Sequence, residues 1–131
     1  MSRYVVDAGV VLQLAAESRK VSSRHELLAP TLVRSQTLSL LHEAVGRGEL
    51  SAEAGRERLR IVGTIKMRLL GDAVLRRRAW EIADELGWDS TYDAEYLALT
   101  QLQADAFVTL DKRLAKRAAA VVTVASIDEL F

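Results

Sequence analysis

The sequence predicts an α/β fold: a three-layer α/β/α sandwich built on a mainly parallel central sheet. Short β-branched runs alternate with longer stretches of helical periodicity along nearly the whole chain. No hairpin signal joins one run to the next, so successive strands are expected to be linked by crossovers, as parallel strands are. In such sheets ligands bind beyond the carboxyl ends of the strands. The residues that follow each strand are therefore where chemistry is sought.

Tyr4 to Val6 reads as the first strand; it stops at Asp7, and AGVVLQLAAE follows with helical character. Ser18 to Glu26 is polar, with Ser22 and Ser23 suited to turns or caps. From Leu27 the string LLAPTLVRSQTLSLLHEAVGRGEL supplies a helix over Thr31 to Val45, with Pro30 suited to its first turn and Gly46 and Gly48 to its exit. Its apolar stripe is Val33, Thr37, Leu40 and Ala44, and Gln36 lies beside that stripe, so a polar group is aimed near the core. Ser51 opens a charged surface helix to Val62, with Glu53, Arg56, Glu57 and Arg60 outward and Gly63 ending it.

Thr64 to Leu70 alternates Ile65, Met67 and Leu69 with Lys66 and Arg68, the period of a half-buried strand at a sheet edge. Asp72 caps a long helix whose buried face is Ala73, Leu75, Ala79, Ile82, Ala83 and Leu86, closed by Gly87. Ser90 or Thr91 then caps a helix from Tyr92 to Ala104, Ala106 to Leu110 is the third strand in this count, and after Asp111 a basic helix KRLAKRA leads to a last strand, VVTVAS. Tyr92 and Tyr96 read as packing residues of the helix that covers the sheet.

Half of the 131 residues are apolar, enough for one domain with a real core and too few for two, so residues 1–131 are expected to form a single domain. Lys plus Arg and Asp plus Glu number 18 each, so a nucleic-acid partner would need a local basic patch. There is no cysteine, which excludes disulfides, thiolate zinc sites and a cysteine nucleophile and is compatible with a cytoplasmic location. His25 and His42 are the only histidines, so a serine triad or a histidine-rich metal site lacks raw material. The opening MSRYVVDAG is broken by Asp7, and neither a signal peptide nor a membrane span is expected.

The acids carry the functional reading. If the helix from Tyr92 runs down the sheet and the following strand runs back, each leg covers roughly 17 Å at about 1.5 Å per helical and 3.3 Å per strand residue. The legs cancel, so Asp93 and Asp111 return to the edge where Asp7 ends the first strand. Taken singly, each aspartate is explained as a helix cap or dipole partner. Together, three anions at one edge are destabilising unless a cation or a raised pKa compensates. A hard divalent ion, Mg²⁺ or Mn²⁺, takes carboxylate oxygens, keeps waters and commonly shares phosphate, which points to phosphoryl chemistry. Thr109 is either a β-branched strand residue or a hydroxyl that orients this site. Lys112, Arg113, Lys116 and Arg117 are either a solvated helix face or the seat of a phosphate backbone, with Arg76, Arg77 and Arg78 as weaker candidates.

The stretches VVDAGV, LLAPTLVRSQTLSLL, YDAEYLALT and VTLDKRL, in that order over essentially the whole chain, resemble a PIN domain, specifically a VapC-type toxin ribonuclease. The resemblance implies a Mg²⁺- or Mn²⁺-dependent endoribonuclease inhibited by a VapB-like antitoxin and frequently homodimeric. It places the family's first, third and fourth acids on Asp7, Asp93 and Asp111, and the threonine of its TxD element on Thr109. The second acid, a glutamate in the family, falls by register on Gln36, which keeps a carbonyl oxygen, lacks the charge, and is assigned to orienting water. Glu43 and Glu95 are second-choice substitutes, and Gly9 stands where the family often has a hydroxyl residue. These departures leave two other readings open: a catalytically weak RNA-binding or regulatory module, and a metal-dependent phosphatase or nuclease acting on DNA.

Overall fold

A computed structural model describes residues 1–131. Five strands, β1 (Ser2–Val6), β2 (His25–Pro30), β3 (Arg68–Leu70), β4 (Ala106–Val108) and β5 (Val124–Ala125), form one sheet in the order β3-β2-β1-β4-β5. Every pairing is parallel. Six helices flank it: α1 (Ala8–Glu17), α2 (Leu32–Gly46), α3 (Ala52–Val62), α4 (Ala73–Leu86), α5 (Tyr92–Gln103) and α6 (Lys112–Ala118). A 3-10 turn, Ile127–Leu130, ends the chain with a Ser126–Glu129 capping box.

The chain builds outward from β1 to β3, then crosses back to β4 and β5 on the other side. Right-handed crossovers that reverse direction place their helices on opposite faces. Packing divides accordingly: α1 sits against α2 and α3, whereas α4 packs on α5, which covers β1, β2 and β4. The core joins Val5, Val6, Leu28, Phe107 and Val108 of the sheet to Val10, Val11, Leu75, Ile82 and Leu97 of the helices. No helix is long and apolar enough to cross a membrane.

Strand β2 is the element absent from the sequence reading, which ran Leu27 to Pro30 into the next helix. A central parallel strand is buried on both faces and shows no alternation, and Leu27 to Pro30 are all buried. Pro30 is the last strand residue rather than a first-turn helix residue; it lies opposite Leu70, and the next ladder donor is Thr31 N–H to the Leu70 carbonyl at 3.1 Å. With β2 counted, the strand before Asp111 is the fourth. In α2 the buried stripe is Val33, Thr37 and Leu41, with Leu40 exposed and Ala44 half-buried, an i, i+4, i+8 row in place of the expected one.

The cap residues read from sequence behave as such. Ser51 accepts from Ala54 N–H, Asp72 accepts from Leu75 N–H, and Gly87 closes α4 at φ 68°. Ala73 is exposed and Leu86 half-buried on α4, so its core face is narrower than expected. The edge strands β3 and β5 are shorter than the apolar runs that suggested them, because each pairs on one side only. The outward cations Lys66 and Arg68 and the half-buried Ile65, Met67 and Leu69 keep the predicted alternation.

Candidate active site

The strand order reverses between β1 and β4, and the carboxyl ends of these two strands form the topological switch point, where ligands of open α/β sheets bind. Asp7 follows β1 directly and caps α1: its Oδ1 accepts from Val10 N–H at 3.1 Å. Its Oδ2 accepts from the Thr109 hydroxyl, whose oxygen in turn accepts from Asp111 N–H at 3.1 Å. Thr109 is thus a bridge from β4 to β1, its hydroxyl bonded to both Asp7 and the Asp111 backbone. Asp111 caps α6 through Oδ1 alone, which accepts from Arg113 and Leu114 N–H at 2.9 and 3.0 Å. Its other oxygen is left free.

Asp93 stands in the first turn of α5, whose Thr91 cap makes no side-chain hydrogen bond. The capping-box alternative for Asp93 does not form: the Ser90 hydroxyl accepts from Tyr92 N–H instead. The three acids act on one another electrostatically. Burial pushes the half-buried Asp7 carboxyl up, the Thr109 and Val10 hydrogen bonds pull it down, and the charges of Asp93 and Asp111 add to the rise. Partial burial also raises Asp93, followed by the charge of Asp111, with Arg117 opposing. Asp93 is exposed at the residue level, so solvent screens its share and Asp7 bears the larger strain.

No three His, Cys, Asp or Glu side chains close on a single point. The acids form an open rim rather than a tight cluster. That rim fits a hard divalent ion: its donors are oxygens only, two of its carboxyls are pushed toward the protonated form, and ions of the Mg²⁺ type keep several waters while using one or two carboxylates.

Gln36 comes to the same place. The Tyr96 phenol donates to Gln36 Oε1, and the phenol is held protonated by burial first, then by the charges of Asp7, Asp93 and Glu95. Tyr96 is only 1% exposed, a packing residue as expected, yet its hydroxyl bonds Gln36 and feels the charges of Asp7 and Asp93. The sequence reading missed that second role, although Tyr96 lies three residues after Asp93, on the same helical face. Tyr92 departs from expectation: it is 59% exposed, beside Asp93, rather than packed on the sheet.

The substitutes for the missing acid lie elsewhere. Glu43 accepts from Ser39 Oγ at 2.7 Å on the exposed side of α2. Glu95 lines a cleft with Arg76, Arg77, Trp80 and Thr91, where burial raises its pKa and Arg76 lowers it. Lys112, Arg113, Lys116 and Arg117 are all exposed on α6. Arg117 leans back, its guanidinium 4.8 Å from the Trp88 ring centroid. Arg78 is engaged with Gln101, Glu81 and Glu85, which removes it from the free cations.

Fold and rim together define a class: a parallel α/β/α protein whose carboxylates gather, without cysteine, at the topological switch point. The chain belongs to the PIN-domain family, whose pattern matches residues 4–120. It is 34% identical over 113 residues to the VapC ribonuclease Mb0985 of Mycobacterium bovis and to ribonuclease VapC9 of Mycobacterium tuberculosis, covering 84% of this chain and 87% of each relative. Among solved structures, PAE2754 from Pyrobaculum aerophilum shares the fold with a TM-score of 0.78 at 23% identity, over 98% of this chain and 92% of that one. VapBC2 from Rickettsia felis, bound to a DNA fragment from their promoter, matches at a TM-score of 0.64 and 10% identity, over 95% of this chain and 98% of that one.

Proposed function

We propose that this PIN-domain protein is a Mg²⁺- or Mn²⁺-dependent endoribonuclease that hydrolyses RNA phosphodiester bonds, and that it is the toxin of a pair with a VapB-like antitoxin. The carrying observation is the acidic rim at the switch point, where Asp7 and Asp93 are both pushed toward protonation with no cation of the chain paired to Asp7. The names of the 34% identical relatives supply the substrate class, and the VapBC2 name of a structural neighbour the class of partner.

Asp7 and Asp93 would hold the ion, with the free oxygen of Asp111 as a further ligand, direct or through water. When bound, the ion supplies Lewis acidity at a phosphoryl oxygen and a water of lowered pKa. The chain's own part is positioning. Val10 N–H and the Thr109 hydroxyl fix both oxygens of Asp7, so its carboxylate is set before substrate arrives. The α6 N-terminus fixes Asp111. The exposed cations of α6 begin next to the rim and would receive neighbouring RNA phosphates.

The test is Asp93→Asn in a protein shown to be folded by circular dichroism. Mn²⁺ binding by calorimetry and cleavage of single-stranded RNA should both be lost, and a matched DNA strand should be cut far more slowly than RNA by the unsubstituted protein. Unchanged Mn²⁺ affinity and cleavage in Asp93→Asn would overturn the assignment. Equal rates on DNA would favour the nuclease of broader substrate range.

A further inference from the structure

Where the other rim positions carry an acid, α2 carries Gln36, and the structure decides which end of its amide faces the site. The Tyr96 ring is held in the core, 6.1 Å from the Phe107 ring centroid, and its hydroxyl is a neutral donor because burial and three nearby carboxylates keep it protonated. A buried phenolic proton needs an acceptor, and the one it has is Gln36 Oε1. Were the amide turned over, Nε2 would donate to the phenol oxygen and the phenolic proton would be stranded, so the orientation follows from hydrogen-bond accounting.

The carbonyl end is thereby occupied, and Nε2 has no partner in the protein. The polar side-chain atoms that are buried without a partner are His25 Nδ1 and Trp88 Nε1, so Gln36 Nε2 is open to solvent. The phenol it is tied to lies one turn after Asp93 on the same face of α5, and the charges of Asp7 and Asp93 both act on it, which puts the amide next to the rim. An amide NH₂ cannot ligate a cation; it is a neutral donor that pairs with an oxygen acceptor.

We propose that Gln36 is a phosphate-binding residue, and that Tyr96 is the positioning residue that turns its NH₂ outward to donate to an anionic phosphate oxygen of the RNA. The inference rests on the ribonuclease reading and deepens it. The fourth rim position recognises the substrate's anion, whereas an acid there would add a ligand for a second cation. A neutral donor at this position also lowers the repulsion that three carboxylates exert on an approaching phosphate, so the substitution is an adaptation of the site and not a loss from it.

The experiment is binding of a single-stranded RNA decamer in EDTA, where no cleavage runs, followed by fluorescence anisotropy and by the Gln36 side-chain NH₂ resonances, assigned through their absence in Gln36→Leu. RNA should shift those resonances. Gln36→Leu should weaken binding about 10-fold, in the range of a hydrogen bond to a charged group, and Gln36→Glu more, through repulsion. Tyr96→Phe, which removes only a hydroxyl, should reproduce most of the Gln36→Leu loss, and the double variant should be no weaker than Gln36→Leu alone. Should Tyr96→Phe fail to fold, the NH₂ resonances of the unsubstituted protein and the two Gln36 variants, which leave the core intact, still decide the phosphate contact. Binding by Gln36→Glu as tight as the unsubstituted protein, or unmoved NH₂ resonances, would overturn the proposal. Wild-type protein that neither binds nor cuts RNA would instead sink the ribonuclease reading, whereas wild-type binding and cleavage with indifferent Gln36 variants would sink this inference alone.

Discussion

The two ends of the sheet are built from the same kinds of residue and treat charge in opposite ways. At the amino end a cavity of about 1060 Å³ is lined by Arg19, Lys20, His25, Glu26, Lys66 and Arg68 among others, and its carboxylate is compensated: Glu26 lies 3.5 Å from Arg3 and 3.8 Å from Arg68. At the carboxyl end, the charges of Asp93 and Asp111 push the Asp7 carboxyl up and that of Asp111 pushes Asp93 up, and none of the three forms an ion pair within 4 Å. A wide concavity is therefore not by itself the mark of the site. In the proposed reading it is uncompensated charge at the switch point that marks the site.

Asp7→Asn is the strongest way to break this contrast. Cleavage should fall at least about 100-fold, since even the outer partners of a metal ligand cost about 10- to 100-fold, while the metal-free protein should melt at a higher temperature than the unsubstituted one. The sign follows from the raised pKa. Because the folded value lies above the unfolded value of about 3.9, the stability Asp7 contributes is complete below that pH and is lost as pH rises through the folded value. At neutral pH the ionised carboxylate is therefore a cost, and Asn removes it. The advantage of Asp7→Asn in EDTA should shrink as pH falls toward 4. A melting-temperature gap that stays constant from pH 7 to 4 would show that the rim is not strained. Arg68→Ala at the opposite end should leave cleavage untouched and change stability by no more than about 1 kcal/mol, the range of an exposed ion pair.

A smaller effect tests whether cations serve the two ends equally. Lys112→Ala and Lys116→Ala should each weaken RNA binding several-fold and flatten its salt dependence, by about 0.7 in the logarithmic slope for each single-strand phosphate that is no longer neutralised. Arg19→Ala, at the amino-end cavity, should change neither quantity. Equal losses at α6 and at Arg19 would mean that RNA wraps the sheet from end to end.

How much of this was legible in the sequence depends on the range of the interaction. Caps are local, so Ser51, Asp72 and Gly87 announce themselves within a turn of the helix they close. The return of Asp93 and Asp111 toward one edge was read from the direction of one helix and one strand, although β4 ends at Val108, short of the expected Leu110. Strand β2 was hidden because a strand buried on both faces carries no period, and its Pro30 imitated a helix start. The Tyr96–Gln36 hydrogen bond joins positions 60 apart, on helices from the two halves of the chain, so only the crossover from β3 back to β4 brings them together. The register that placed Gln36 at the rim came from the family resemblance; which end of its amide faces outward is a fact of three dimensions.

Gly9 offers the gentlest probe of the acidic end. It lies in the first turn of α1, directly after the Asp7 cap, and a Cβ built there meets only Asp7 Oδ1, at 3.6 Å, an ordinary contact. Serine therefore fits without displacing anything, and replacing glycine in a helix with serine gains roughly 0.5 kcal/mol of helix propensity. Its hydroxyl would stand beside the Asp7 carboxylate, which burial pushes up, and add an oxygen to the rim. Gly9→Ser should raise the melting temperature slightly and tighten Mn²⁺ binding by a few-fold at most, read by calorimetry. If stability rises while cleavage falls, the glycine is there for close approach of the RNA backbone, which no side chain at position 9 would permit. If both rise, the open space beside Asp7 is room that this site leaves unused.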